Sequence, residues 1–116
     1  MSRISIVDLE VFYCIGLTDE ERAKPQRLLI TVDLGFDFTS AALSDRIERT
    51  INYCTVAQRV LKFGDGRSWK LVEKLAANLA DMILAEFHPQ EVALEVKKFP
   101  MPEARYVSVS LTRSRS

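Results

Sequence analysis

The chain has 116 residues and a formal net charge of +0, because sixteen Lys and Arg balance sixteen Asp and Glu. A chain of this length is expected to form one domain, residues 1–116, that folds without disulfides or a structural metal. The neutral charge balance argues against a nucleic-acid partner. No apolar run reaches the roughly 20 residues of a membrane span, and the charged first residues do not match a signal peptide, so we expect a cytoplasmic protein with no membrane partner.

Residues that commonly bind metals are few and scattered along the chain. Cys14 and Cys54 are too far apart in sequence for a metal or redox motif, so we interpret them as packing residues. His88, the single histidine, precedes Pro89 and is interpreted as a residue at the C-terminal end of a helix. The sequence therefore predicts no metal site.

Two strands are predicted in the first forty residues. Residues 3–14 alternate loosely between apolar and polar, and the phase changes near Asp8, which indicates a β-bulge. Residues 28–38 place six apolar side chains on one face, as in an antiparallel strand that is buried on one side. The charged segment between the two strands is predicted to be a surface connection with one helical turn.

Two amphipathic helices are predicted after these strands. Apolar residues in segment 52–63 share one helical face, and the sequence GDG at 64–66 ends this helix. A second and longer helix is predicted to begin after an N-cap at Ser68 and to end at about Phe87.

Two further strands are predicted at 91–98 and 105–112, where apolar and polar residues alternate again. The order of elements is therefore β-β-α-α-β-β. This order predicts an α+β fold in which a four-stranded antiparallel sheet carries both helices on one face.

Lys98 occupies an unusual position in the third predicted strand. Val92, Leu94 and Val96 form the apolar face of that strand, and the period of two places Lys98 next on the same face. An ammonium group is costly to bury. Lys98 therefore either extends past the strand end into water or enters a functional pocket.

Three other polar residues are candidates for a site, and each has an ordinary alternative. Glu73 lies in the first half of the long helix and is either a surface carboxylate, paired with Lys70 or Lys74, or a ligand-binding acid. Tyr53 at a helix start and Glu21 in the charged connection are each compatible with ordinary surface or core roles.

Several segments together resemble the dihydroneopterin aldolase family in their order and approximate spacing. They are YCIGLTDEER followed by Gln26, then TINYCTV, KLVEKLA, and EVKKFPMP preceding the strand YVSVSL. The resemblance covers essentially the whole chain. It implies the tunnelling fold, in which β-β-α-α-β-β subunits stand side by side in a ring around a continuous antiparallel β-barrel. It also implies a homotetramer or homo-octamer with active sites between adjacent subunits.

The resemblance implies a pterin-binding role for five residues. Glu73 matches the family's pterin-anchoring carboxylate, which accepts hydrogen bonds from the exocyclic amino group and the adjacent ring N–H. Backbone groups around Val72 would line the same slot. Ile51, Asn52 and Tyr53 would complete that slot from the neighbouring subunit.

The implied catalytic residues are Lys98, Tyr53 and Glu21. The implied reaction is the retro-aldol cleavage of dihydroneopterin to hydroxymethyl-dihydropterin and glycolaldehyde, a step of folate biosynthesis. Lys98 and Tyr53 would transfer protons, through a water held with Glu21. The dihydropterin ring itself receives the electrons, so no cofactor is implied.

The chain departs from the family pattern in three places, which leaves alternatives open. Ile15 stands where many members carry histidine, the final strand lacks its usual glycine, and the segment between Lys98 and Tyr106 is short. The sequence RYVSVSL at 105–111 is more similar to the dihydroneopterin triphosphate epimerase branch. Two non-enzymatic alternatives are a tunnelling-fold protein that binds a pterin or purine through Glu73 without catalysis, and a ferredoxin-like interaction module.

Overall fold

A computed structural model describes residues 1–115 of the chain. Its elements in chain order are β1 (Ser2–Ile15), α1 (Asp19–Arg22), β2 (Gln26–Phe36), α2 (Thr39–Ser44), a 3₁₀ turn (Ile47–Arg49), α3 (Tyr53–Lys62), β3 (Ser68–Trp69), α4 (Val72–Phe87), β4 (Glu91–Lys98) and β5 (Val107–Ser114). The predicted α+β class, the four longer strands, the two longer helices and the helical turn in the first connection are confirmed.

The sheet has five strands in the order β3-β1-β2-β4-β5 and is mixed. Strands β1, β2, β4 and β5 are antiparallel to their neighbours, whereas β3 runs parallel to β1 and pairs Ser68 with Cys14 and Trp69 with Ile15. The prediction of a four-stranded antiparallel sheet was therefore wrong. A two-residue strand is too short to show any periodicity, and its existence depends on backbone pairing with a strand far away in sequence.

The predicted bulge in β1 is confirmed. The register with β2 shifts between Ile6 and Leu9, and Asp8 has a φ of 53°. The Asp8 N–H donates a hydrogen bond to Thr31 Oγ1 over 3.0 Å. The bulge turns the Asp8 carboxylate toward Lys97 of β4, whose Nζ donates to Asp8 Oδ1 over 3.0 Å.

The start of the long helix differs from the prediction. Ser68 is not its N-cap, because α4 begins at Val72 after Leu71, which provides no side-chain cap. Trp69 is instead held in β3, where its ring stacks on Phe63 with centroids 5.8 Å apart. The helix ends at Phe87 as predicted, and His88 follows it in a left-handed conformation, which confirms its interpretation as a C-terminal residue.

The short helix α2 and the 3₁₀ turn were not predicted from the sequence. Neither contains a buried residue, and neither has a side-chain cap at its N-terminus. Without an apolar face or a capping pattern, their sequence carries no helical signal.

The core lies between α3, α4 and one face of the sheet. Its fully buried side chains include Tyr13, Ile15, Leu28, Ile30, Leu34, Val56, Val60, Leu75, Leu79, Ile83, Val92 and Val96. The opposite face is polar and carries the ion pairs Arg3–Glu91, Arg27–Glu10 and Lys97–Asp8. None of the helices within residues 1–115 is both long and apolar enough to cross a membrane.

Candidate active site

The connection between β1 and β2 is tied down by two side chains. The Gln26 amide donates hydrogen bonds to the carbonyl oxygens of Ile15 and Glu21, the latter over 3.1 Å. The Arg22 guanidinium donates to the Gly16 carbonyl over 2.7 Å. The turn α1 is thereby fixed against the end of β1, and Glu21 with it.

Glu21 is held in a capping box with Thr18. Glu21 Oε1 accepts hydrogen bonds from the Thr18 N–H and hydroxyl, both over 3.2 Å, and the Glu21 N–H donates to Thr18 Oγ1 over 3.1 Å. The backbone and side-chain hydrogen bonds from Thr18, in that order, lower the pKa of Glu21, and the nearby positive charge of Lys98 lowers it further. Glu21 is therefore held as a carboxylate, and the charge of Lys98 also favours this form.

Gly16 allows this close approach of α1 to β1. A Cβ at position 16 would lie 2.2 Å from the Glu21 Cβ and 3.0 Å from Glu21 Oε2. Any other residue would therefore displace Glu21.

Lys98 is the last residue of β4 and is half-buried. It follows Val92, Leu94 and Val96, all buried, on the same face of the strand, as the alternation predicted. None of the side-chain hydrogen bonds or ion pairs found within residues 1–115 involves Lys98, whereas its neighbour Lys97 is paired with Asp8 on the opposite face.

Glu73 is the second residue of α4 and is exposed. Because α4 has no side-chain cap, its first N–H groups are free of side-chain partners. The described part of the chain contains no ion pair between Glu73 and Lys70 or Lys74, which was the ordinary alternative for this carboxylate. Both Glu73 and the backbone beside Val72 can thus receive an external ligand.

A cleft of about 440 Å³ lies next to the start of α4. Its lining combines the Trp69 and Leu71 side chains with polar ones, and consists of Ser68, Trp69, Lys70, Leu71, Lys74 and Asn78. The Trp69 indole N–H donates to Asn78 Oδ1 over 3.0 Å, which fixes the ring at the cleft wall. The cleft has the size of a small-molecule site.

Ile51, Asn52 and Tyr53 form the entry to α3. Asn52 is the N-cap, and its Oδ1 accepts from the Cys54 and Thr55 N–H groups over 3.0 and 3.4 Å. Tyr53 is 56% exposed, while Ile51 packs partly against the core. This arrangement presents the Tyr53 phenol to solvent.

The structure brings some of the predicted site residues together within one chain and not others. Val72 and Glu73 share the first turn of α4. The positive charge of Lys98 acts on the Glu21 carboxyl, although no ion pair joins the two within residues 1–115. No hydrogen bond or ion pair between described residues links Tyr53 to Glu21, Lys98 or Glu73. Thr18 was missed by the sequence reading, although the spacing Thr-x-x-Glu at 18–21 is the sequence pattern of a capping box.

An α+β chain with a cleft of this size and polar groups around it has the features of a small-molecule-binding protein. The model of the family described as dihydroneopterin aldolase matches residues 4–112. Dihydroneopterin aldolase of Escherichia coli (strain K12) is 30% identical over 115 residues, which cover 99% of this chain and 93% of that relative. The chain belongs to the dihydroneopterin aldolase family.

Solved structures agree with this assignment. The structure of E. coli dihydroneopterin aldolase in complex with neopterin has a TM-score of 0.92 and 28% identity, and the match covers 98% of this chain and 100% of that one. The dihydroneopterin aldolase from Burkholderia thailendensis bound to guanine has a TM-score of 0.79 and 25% identity, with 99% and 92% coverage.

Proposed function

We propose that this chain is a dihydroneopterin aldolase, which cleaves dihydroneopterin to hydroxymethyl-dihydropterin and glycolaldehyde in folate biosynthesis. The observation that carries the proposal is the position of Lys98, which ends the apolar face of β4 and has no side-chain partner within residues 1–115. Its positive charge also acts on the Glu21 carboxylate. The similarity to an aldolase that binds neopterin, over nearly the full length of both chains, supports it.

Glu73 is the proposed anchor of the pterin. Neopterin and guanine, which are bound by two similar structures, share an amino group next to a ring N–H on one edge. A carboxylate can accept from both donors at once, with charge assistance. Free backbone groups around Val72 would contact the same ring.

The proposed reaction breaks the bond between the first and second side-chain carbons. A base removes the hydroxyl proton of the second carbon, which becomes the aldehyde carbon of glycolaldehyde. The bonding electron pair forms a double bond between the first side-chain carbon and the ring carbon, while the π electrons of the ring C=N bond move to its nitrogen. That nitrogen then takes up a proton. Protonation of the first side-chain carbon and loss of the proton on nitrogen then give the hydroxymethyl product. Because the ring accepts the electrons, we propose no cofactor.

Lys98 and Tyr53 are the proposed proton-transfer groups, and Lys98 serves the ring nitrogen. Glu21 would hold a water together with Lys98. A Schiff base on Lys98 is unnecessary, since the substrate already contains an imine.

We propose that the active form is a ring with the tunnelling fold, either a homotetramer or a homo-octamer. Within the described residues, β3 pairs with only two residues of β1, so residues 2–13 of β1 present a free edge and β5 presents another. Edges of this length commonly pair with another strand. In such a ring, Ile51, Asn52 and Tyr53 of one subunit would complete the pterin slot of the next.

Incubation of the purified protein with dihydroneopterin, followed by chromatography, tests the proposal. We expect hydroxymethyl-dihydropterin and glycolaldehyde in equal amounts. Pterin binding without either product would instead indicate a non-catalytic pterin-binding protein. The absence of both binding and turnover would indicate an interaction module.

Epimerase activity is the second candidate, favoured by the sequence RYVSVSL at 105–111. Re-addition of the same intermediate to the opposite face of the aldehyde inverts the second side-chain carbon, so the same residues would serve both reactions. Incubation with dihydroneopterin triphosphate separates the two activities. Cleavage would release the aldehyde fragment with its triphosphate, and an epimer that forms faster than this aldehyde would make epimerisation the principal reaction.

A further inference from the structure

Within residues 1–115, Thr18 provides both hydrogen bonds that the proposed catalytic carboxylate of Glu21 accepts. Its N–H and hydroxyl both donate to Glu21 Oε1, while Glu21 Oε2 makes no hydrogen bond within residues 1–115. The two oxygens of this carboxylate therefore have different surroundings. Oε1 is occupied by Thr18, and Oε2 is available for Lys98, a water or the substrate.

Two donors on one oxygen also restrict the proton chemistry of Glu21. Hydrogen bonds to the charged form of a carboxylate favour that form, because a charged oxygen accepts stronger hydrogen bonds than a neutral carboxyl oxygen does. A group held in this way accepts hydrogen bonds but is a poor proton donor. Gly16 adds to the restriction, since its missing side chain lets Glu21 pack against the end of β1.

We propose that Thr18 is a positioning residue, which holds Glu21 as an ionised acceptor beside Lys98 so that Lys98, and not Glu21, supplies the proton to the ring nitrogen. This inference rests on the proposed aldolase function. It assigns to Thr18 a role in the pH dependence of that reaction and separates the tasks of the two charged groups.

The charged groups around Glu21 support this assignment. Lys98 of β4 is the cation whose charge acts on Glu21 from the sheet. On its own turn, the Arg22 guanidinium is engaged by the Gly16 carbonyl and the Asp19 carboxylate, so it does not compete with Lys98 for Glu21. The pKa of Glu21 is lowered mainly by the backbone and hydroxyl of Thr18.

The experiment compares Thr18→Val, which removes the hydroxyl but keeps the N–H, with Thr18→Ser, which keeps both donors. Carbon-13 NMR titration of the Glu21 carboxyl, assigned by its loss in Glu21→Gln, is measured without substrate. The pH profile of kcat/KM is measured with dihydroneopterin. The matched control is Thr39→Val, because Thr39 donates to Asp37 in the same manner and lowers its pKa at the opposite end of β2.

We expect Thr18→Val to raise the pKa of Glu21 and to move the acid limb of kcat/KM to higher pH by the same amount. Thr18→Ser and Thr39→Val should leave both quantities as in the unchanged protein. A Glu21 titration or an acid limb that is unaffected by Thr18→Val would overturn the inference, even if the protein folds less stably. If the unchanged protein does not cleave dihydroneopterin, the proposed aldolase function is wrong, and the inference about Thr18 is wrong with it. If the unchanged protein cleaves dihydroneopterin but Thr18→Val does not shift the acid limb of kcat/KM, only the role of Thr18 is wrong.

Discussion

Two adjacent lysines show how strand geometry separates structural from chemical roles. Successive side chains of β4 point to opposite faces. Lys97 is bonded to Asp8 on the polar face, and this hydrogen bond raises its pKa. Lys98 follows the buried apolar side chains and has no such partner within residues 1–115. The same side-chain type is therefore used for an ion pair at one position and, in the proposed mechanism, for proton transfer at the next.

The variant Lys98→Ala tests whether Lys98 transfers a proton while Lys97 serves only in an ion pair. We expect turnover of dihydroneopterin to fall by about 10² or more, the scale of a lost general acid, because no other ammonium group would serve the ring nitrogen. Pterin affinity, measured by calorimetry, should change by no more than a few-fold, since Glu73 still anchors the ring. The control is Lys97→Ala, which removes an ion pair on the other face and should retain turnover. Near-full activity of Lys98→Ala would refute the assigned role.

Glu73→Ala should affect binding where Lys98→Ala affects chemistry. The two donors of the pterin edge would be left unpaired in the pocket, which should cost about 2 to 4 kcal/mol of binding free energy. Asp81→Ala is the matched control on the same helix, because Asp81 forms only an exposed ion pair with Arg113. Calorimetric titration with neopterin measures both. Normal affinity of Glu73→Ala would contradict the proposed anchor.

The sequence was informative about Lys98 but not about Thr18. The alternation of Val92, Leu94 and Val96 was sufficient to place Lys98 on the apolar face. The bonds of Thr18 to Glu21 depend on a turn of only four residues, which has no periodic signal. The capping-box spacing at 18–21 is the sequence signal from which these bonds could have been predicted.

At the level of elements, the fold was predictable wherever a periodic pattern ran for about eight residues or more. Strand β4 matches its predicted bounds, and the bulge in β1 appeared as a phase change. Strand β3 was not predictable, because its two residues are strands only through their pairing with Cys14 and Ile15. The same pairing moves the start of α4 from the expected N-cap at Ser68 to Val72.

Gly16→Ala tests how the first connection positions α1. The added Cβ would overlap the Glu21 side chain, so α1 must shift, at a cost of about 1 to 3 kcal/mol in the free energy of unfolding. We also expect kcat/KM to fall, because the displaced Glu21 no longer lies beside Lys98. Denaturant unfolding and steady-state kinetics measure the two effects. The control Glu20→Ala alters an exposed side chain of the same turn and should change stability by less than about 0.5 kcal/mol; equal effects of both substitutions would contradict the role of Gly16.

At the level of the whole molecule, the proposed ring would pair the open edges of the sheet and bring the exposed Tyr53 to a neighbouring subunit. We expect sedimentation to show a homotetramer or homo-octamer at working concentration. Catalytic activity should decrease together with assembly on dilution, because each site takes Tyr53 from a neighbour. A monodisperse monomer that still cleaves dihydroneopterin would contradict this expectation.

In the proposed ring, each active site combines Glu73 and Lys98 of one subunit with Tyr53 of the next. The most direct test is the activity of mixed assemblies from equal co-expression of Glu73→Ala and Tyr53→Phe chains, each inactive or nearly so alone. Random assembly should restore about a quarter of the sites, since half the subunits carry an intact Glu73 and half of their neighbours an intact Tyr53.

Mixed assemblies of Glu73→Ala and Lys98→Ala chains provide the matched control. They should remain inactive, because both groups of every site come from the same subunit. We expect the mixture of Glu73→Ala and Tyr53→Phe chains to release glycolaldehyde at about a quarter of the rate of the unsubstituted protein. The mixture of Glu73→Ala and Lys98→Ala chains should release none. Release from the first mixture that does not exceed the sum of its two variants alone would contradict the shared site.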